Sequence, residues 1–142
     1  MLKGINQNSK GLLNSIQQYG CLFLCFAEQS PVVFEGEAGI LLLNYMWCDA
    51  KDNGIIDKDD IVQEHTLLAQ NIFKIKARYD GIHHDADENI PKDTAFAFGE
   101  FFWRSSHFVI INRRKEVIFD SLGYSNTVKN GTLKTMRWYY AV

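Results

Sequence analysis

The chain lacks a cysteine framework, a long apolar run and any internal repeat, and each absence removes a class of protein. Cys21, Cys25 and Cys48 are three in number and irregularly spaced, so they cannot all pair with one another. That pattern argues against a small disulfide-stapled fold and for a reducing compartment. The longest apolar stretch, residues 40–47, falls far short of the roughly 20 residues that cross a bilayer. Residues 1–20 are largely polar and do not combine a positive segment, an apolar stretch and a small-residue cleavage site, so no secretory leader is expected. A cytoplasmic protein with no membrane partner is the expectation.

A marked excess of either charge is also missing, because 15 Lys/Arg stand against 17 Asp/Glu for a net charge of −2. The balance conceals an asymmetry: residues 103–142 carry seven Lys/Arg against two acids, net +5, which leaves −7 for residues 1–102. The basic residues are scattered among strand-like positions in an acidic chain, so nucleic acid is not the expected partner. With 142 residues, 46% hydrophobic and 23% charged, the composition is that of an ordinary globular protein. One domain spanning residues 1–142 is expected at this length.

The hydrophobic pattern divides the chain by period. Tyr19-Gly20 ends a polar lead-in, and residues 21–28 read as a helix apolar nearly all round, beginning at or beside Cys21. Residues 37–47 suggest a second helix. Asp57 and Asp59 are N-cap candidates for a third, in which Ile61, Val62, His65, Leu68, Ala69 and Ile72 recur mostly at three- and four-residue spacing. The period then falls to two: Phe73, Ile75, Ala77 and Tyr79 alternate with Lys74, Lys76 and Arg78, the mark of a strand with one wet face. Residues 80–94 form the only long polar connection and read as a surface loop. Strands are expected over Phe96 to Phe102 with a break at Gly99, and at about 107–112, 116–120 and 132–140. Helices first and strands later give an α+β fold with an antiparallel sheet.

Chemistry-bearing residues concentrate at two places. With a turn centred between Arg113 and Arg114, His107 stands directly opposite Asp120 in a hairpin, with Cβ atoms about 4.5–5.5 Å apart. Asp120 can then accept a hydrogen bond from His107 and fix its tautomer and orientation. This depends on register, since a slip by one residue puts the pair on opposite faces. Cys21, at a helix start, meets unpaired backbone N–H groups and the positive end of the helix dipole, which favour a thiolate, as an adjacent imidazolium does. Cys25, one turn on, and Cys48, beside Trp47, read as core residues. Thiol, imidazole and carboxylate in that chain order point to nucleophilic catalysis by cysteine.

Gly20-Cys21 opening a helix, then Ser106-His107-Phe108-Val109-Ile110-Ile111, then Val117-Ile118-Phe119-Asp120-Ser121-Leu122-Gly123, resembles the papain-like cysteine peptidases. The small bacterial bacteriocin-processing type is the most similar, together with a group of small spirochaete plasmid- and phage-encoded proteins of the same layout. The resemblance spans most of the chain but rests on three short motifs. It implies a papain-like fold, N-terminal helices on a C-terminal antiparallel sheet, with Cys21 as nucleophile, His107 as general base and acid, and Asp120 as the orienting group. It implies a peptide or protein substrate and hydrolysis of an amide, and it calls for no cofactor. Such enzymes usually carry an oxyanion-hole Gln six residues before the nucleophile, where this chain has Ser15. Gln17 and Gln18 are the nearby side chains that could replace it, or backbone N–H groups could suffice. Ser15 is also the feature favouring a binding module with a decayed site. A phage-type cell-wall amidohydrolase is a third reading, disfavoured by the lack of an export signal.

Two further clusters carry less. Residues 49–60 partly fit a calcium loop, with Asp49, Asn53, Gly54 and Asp60 at ligand or turn positions, but Lys51 stands where an oxygen donor is needed. An acidic turn with Gly54 at positive φ, preceding a helix, is expected instead. His83-His84-Asp85 and Asp87 offer metal-ligand types without a tetrahedral spacing, so no metal site is expected there. The Phe-rich stretch 96–103 is expected in a core strand.

Overall fold

A computed structural model describes all 142 residues, and the chain divides into two compact units, Met1–Lys76 and Ala77–Val142. The first is mainly helical. A short parallel pair, β1 (Leu2–Lys3) with β2 (Phe34–Glu35), flanks α1 (Asn14–Tyr19), α2 (Cys21–Gln29) and α3 (Gly36–Asp52). One helical turn, α4 (His65–Leu67), then runs into a π-helical turn at Leu68–Ile72. No helix is long and apolar enough to cross a membrane.

Helix α2 is apolar all round because it is enclosed: Leu22 to Ala27 are six consecutive buried residues. Phe23 meets Trp47 edge-on at 5.1 Å between ring centres and Phe73 at 4.8 Å, arrangements that suit the quadrupoles of aromatic rings. Cys25 is fully buried, as the sequence indicates. Cys48 is not: it lies exposed on α3, on the face opposite Leu43, Met46, Trp47 and Ala50, which take the core side. Adjacency to a buried Trp misled, because neighbours along a helix diverge by about 100°.

Several other expectations need correction. The third helix starts at His65, not at Asp57 or Asp59, and Glu64 precedes it without a side-chain cap. Asp57 spends its oxygens on a turn: Oδ1 accepts the N–H groups of Asp59 and Ile61, and Oδ2 accepts the Gln63 amide. The strand expected from Phe73 begins at Ala77, because Lys74 has φ of +58° and breaks the extended path. Phe73, Ile75 and Ala77 still alternate into the core, so the period was real while the ladder was absent. A helix, α1, also occupies part of the supposed polar lead-in.

The second unit is a five-stranded antiparallel sheet in the order β3 (Ala77–His83), β7 (Thr132–Ala141), β4 (Phe96–Phe102), β5 (Ser106–Ile111) and β6 (Val117–Phe119). A short helix, α5 (Asn126–Asn130), precedes β7. The connection expected over residues 80–94 is therefore shorter, since β3 extends to His83, whose ring stacks on Trp138. Gly99 does not break β4. Its role is close packing: an added Cβ would lie 2.8 Å from the Leu133 side chain and 3.1 Å from Ile111. The irregularity is a bulge between Glu100 and Phe101 in the pairing with β7. Ala97, Val109, Ile111, Met136 and Trp138 form the core on this side of the sheet, with Ile90.

Gly20 sets the start of α2. Its N–H donates to Ile16 O at 2.8 Å, closing α1, and its carbonyl accepts Leu24 N–H at 2.8 Å, opening α2. A Cβ there would fall 2.4 Å from the Ile16 carbonyl oxygen, which is backbone and cannot step aside. Gly20→Ala should therefore lower the unfolding free energy of the first unit by about 1–3 kcal/mol, the usual cost of overpacking. Urea titration checks this, and an unchanged midpoint would contradict the close approach.

Candidate functional site

His107 and Asp120 meet as the sequence predicts, by a different route. The hairpin turn is Asn112 to Lys115, with Lys115 N–H donating to Asn112 O at 2.9 Å and Lys115 at φ of +66°. This is a type I turn followed by a left-handed residue, a geometry that ordinarily favours Gly. The Asn112 side chain supports it by accepting the N–H groups of Arg114 and Glu116. The Lys115 ammonium is anchored on the Ala86 carbonyl.

That turn shifts the pairing by one residue from the expected register, so Ile111 faces Val117. A bulge between Ile110 and Ile111 shifts it by one more, so Ile110 faces Phe119. One shift would have turned Asp120 to the other face, and two restore it. His107 and Asp120 are thus diagonal neighbours on one face rather than a directly opposed pair. The imidazole spans the longer gap with its far nitrogen: Nε2–H donates to Asp120 Oδ1 at 2.7 Å.

Both groups are buried, with side-chain exposure of 6% for His107 and 2% for Asp120. A carboxylate so enclosed needs donors, and Asp120 has them. Oδ1 also accepts Leu122 N–H at 2.9 Å, and Oδ2 accepts Ser125 N–H at 3.0 Å. Gly123, at φ of +88°, closes the turn by donating to Asp120 O. Burial alone would raise the Asp120 pKa, but the bonds from His107, Ser125 and Leu122 outweigh it and hold the carboxyl down at about 2. An anion locked in this way keeps the ring in the tautomer protonated at Nε2, so acid–base chemistry with any third group must pass through Nδ1.

Cys21 belongs to the first unit and is the first residue of α2, partly exposed, directly after the N-cap Gly20. Of the two glutamines named from sequence, Gln17 gives its amide to Ser9 O at 3.1 Å, so it braces the preceding loop. Gln18 is exposed in α1. A third, Gln7, was not singled out by spacing. It is 3% exposed, and its Nε2 donates to Gln17 O at 3.0 Å and to Ile16 O at 3.5 Å, clamping the turn that leads into Gly20-Cys21. A glutamine in a polar lead-in gives no sequence signal of burial.

The calcium-like segment is occupied by its own groups: the Lys51 ammonium pairs with Asp60, and Asn53 donates to Asp49. Gly54 has φ of +71°, as expected for the turn, but no helix follows directly. His83 lies between Asp80 and Glu88, with its ring nitrogens 3.1 and 3.2 Å from their carboxylates.

A family model described as a protein of unknown function, DUF261, matches residues 1–141, and the chain belongs to that family. No curated protein and no solved structure matches the chain.

Because the folded-state value of Asp120 lies below the ordinary one, its contribution to stability is complete above about pH 4 and is lost as the pH falls toward 2, a difference of about 2 kcal/mol. Asp120→Asn, which cannot titrate, should abolish that acid limb in denaturant unfolding measured across pH. A variant with the same limb would contradict the assignment.

Proposed function

We propose that the chain is a cysteine peptidase or amidase of papain-like fold, with Cys21 as nucleophile, His107 as general base and acid, and Asp120 as the group that orients the ring. The observation that carries the reading is the buried His107 Nε2–Asp120 bond. A histidine held by a buried, multiply donated carboxylate is a costly arrangement for a purely structural residue, and it is the arrangement a general base needs. One feature of the first unit supports the choice of Cys21: it is the first residue of α2, where the positive end of the helix dipole favours a thiolate.

The reaction follows from those roles. His107 Nδ1 takes the thiol proton, and the sulfur attacks the amide carbonyl carbon to give a tetrahedral oxyanion. The C–N bond then breaks as the imidazolium protonates the leaving amine, leaving a thioester on Cys21. Water, deprotonated by His107, attacks the thioester; the acid leaves and the thiol is restored. With Gln17 engaged by Ser9, the oxyanion falls to backbone N–H groups of the first turn of α2 and to Gln18.

A second reading, a binding module on the same scaffold, is favoured by one observation: Ser15 stands where the oxyanion glutamine is expected, and the Gln17 amide is already committed.

Alkylation separates the two. Cys48 is the most exposed thiol and Cys25 is enclosed, so accessibility alone predicts that iodoacetamide labels Cys48 first. An enzyme should instead react fastest at Cys21 at neutral pH, and His107→Ala should slow Cys21 by about tenfold or more, since thiolate fraction sets the rate. If Cys48 reacts first and Cys21 ignores the loss of His107, the peptidase reading fails.

A further inference from the structure

We infer that the end of the sheet beside His107 is a binding surface for an acidic stretch of polypeptide, which, on the peptidase reading above, is the substrate. Three exposed aromatic residues lie there, Phe102, Trp103 and Tyr124. Each carries a cation over its ring: Lys134 Nζ is 4.9 Å from the centre of Phe102, Arg104 Cζ is 4.3 Å from Trp103, and Lys129 Nζ is 4.8 Å from Tyr124.

These pairs share one end of the unit through a closed series of contacts. His107 is bonded to Asp120, and Asp120 to Ser125, the N-cap of α5. At the other end of α5, Gly131 packs so closely on Phe102 that a Cβ would fall 2.6 Å from its carbonyl oxygen. Phe101, next in the chain, pairs with His107. The ring of contacts returns to the imidazole.

The charge is one-sided. Within residues 101–106 and 120–134 the only acid is Asp120, which is buried with both oxygens engaged. Arg104, Lys129 and Lys134 are exposed, and none of them pairs with a carboxylate, unlike Lys3 with Glu35 or Lys51 with Asp60. A cation resting on a ring is held in place while its outward N–H groups stay available, which suits a carboxylate. Stacking of bases, the usual mode for single-stranded nucleic acid, needs open ring faces, and here each ring already carries a cation on one face. The unpaired cations, rather than the rings, are then the leading groups for a ligand, and they suit side-chain carboxylates.

The test uses the full chain as Cys21→Ala, so binding is read without any turnover, and follows fluorescence anisotropy of labelled oligo-glutamate and labelled oligothymidylate at low ionic strength. Oligo-glutamate should bind, oligothymidylate should bind more weakly, and Arg104→Glu with Lys129→Glu and Lys134→Glu should weaken oligo-glutamate by about tenfold or more. Arg113→Glu with Arg114→Glu, at the opposite end of the β5–β6 hairpin, should leave it unchanged. Circular dichroism confirms that the exposed substitutions keep the fold. No oligo-glutamate binding, tighter oligothymidylate binding, or equal loss in the hairpin control would each overturn the proposal. Alkylation of Cys21 is a separate readout, so failure of the surface and failure of the peptidase reading are distinguishable.

Discussion

Burying the Asp120 carboxylate is the constraint from which one end of the second unit is built. An enclosed anion is tolerated only with its lone pairs engaged, and the three donors come from different places: a strand histidine, the turn that follows, and the residue that caps α5. Meeting that requirement ties β5 to the connection between β6 and β7. It fixes the ring, the turn and the start of α5 together, so a change at Asp120 is felt at all three.

The same economy appears at Cys21. Gly20 serves two helices at once, ending α1 with its N–H and opening α2 with its carbonyl. Because the Ile16 backbone lies so close, a Cβ at this junction would force the two helix ends to shift. Gln7, buried beneath the last turn of α1, holds the carbonyls on its approach. The thiol is thereby carried on the first turn of an enclosed helix, and the imidazole on the second residue of a strand. Both stand on regular elements, which hold a side chain more closely than loops do.

Much of this was legible in the residues. The Gly-Cys helix start, the helix around residues 37–47 and the strands of the second half all follow from period and residue type. What escaped has local causes. The third helix was placed too early because Asp57 and Asp59 resemble caps, whereas Asp57 folds onto its own turn. The strand expected at Phe73 was delayed by a left-handed Lys74, a conformation sequence does not announce in a lysine. The hairpin register was missed for the same reason at Lys115, and the facing survived only because a bulge added a second shift. Gln7 escaped because its burial depends on tertiary packing.

The proposed reaction requires that Asp120 fix His107 with Nδ1 free to serve the Cys21 sulfur. Nitrogen-15 NMR of His107 tests it most directly. In the neutral ring Nε2 should carry the proton and Nδ1 the lone pair, and alkylation of Cys21 should shift the Nδ1 resonance. A proton on Nδ1, or an Nδ1 signal indifferent to alkylation, would contradict the account.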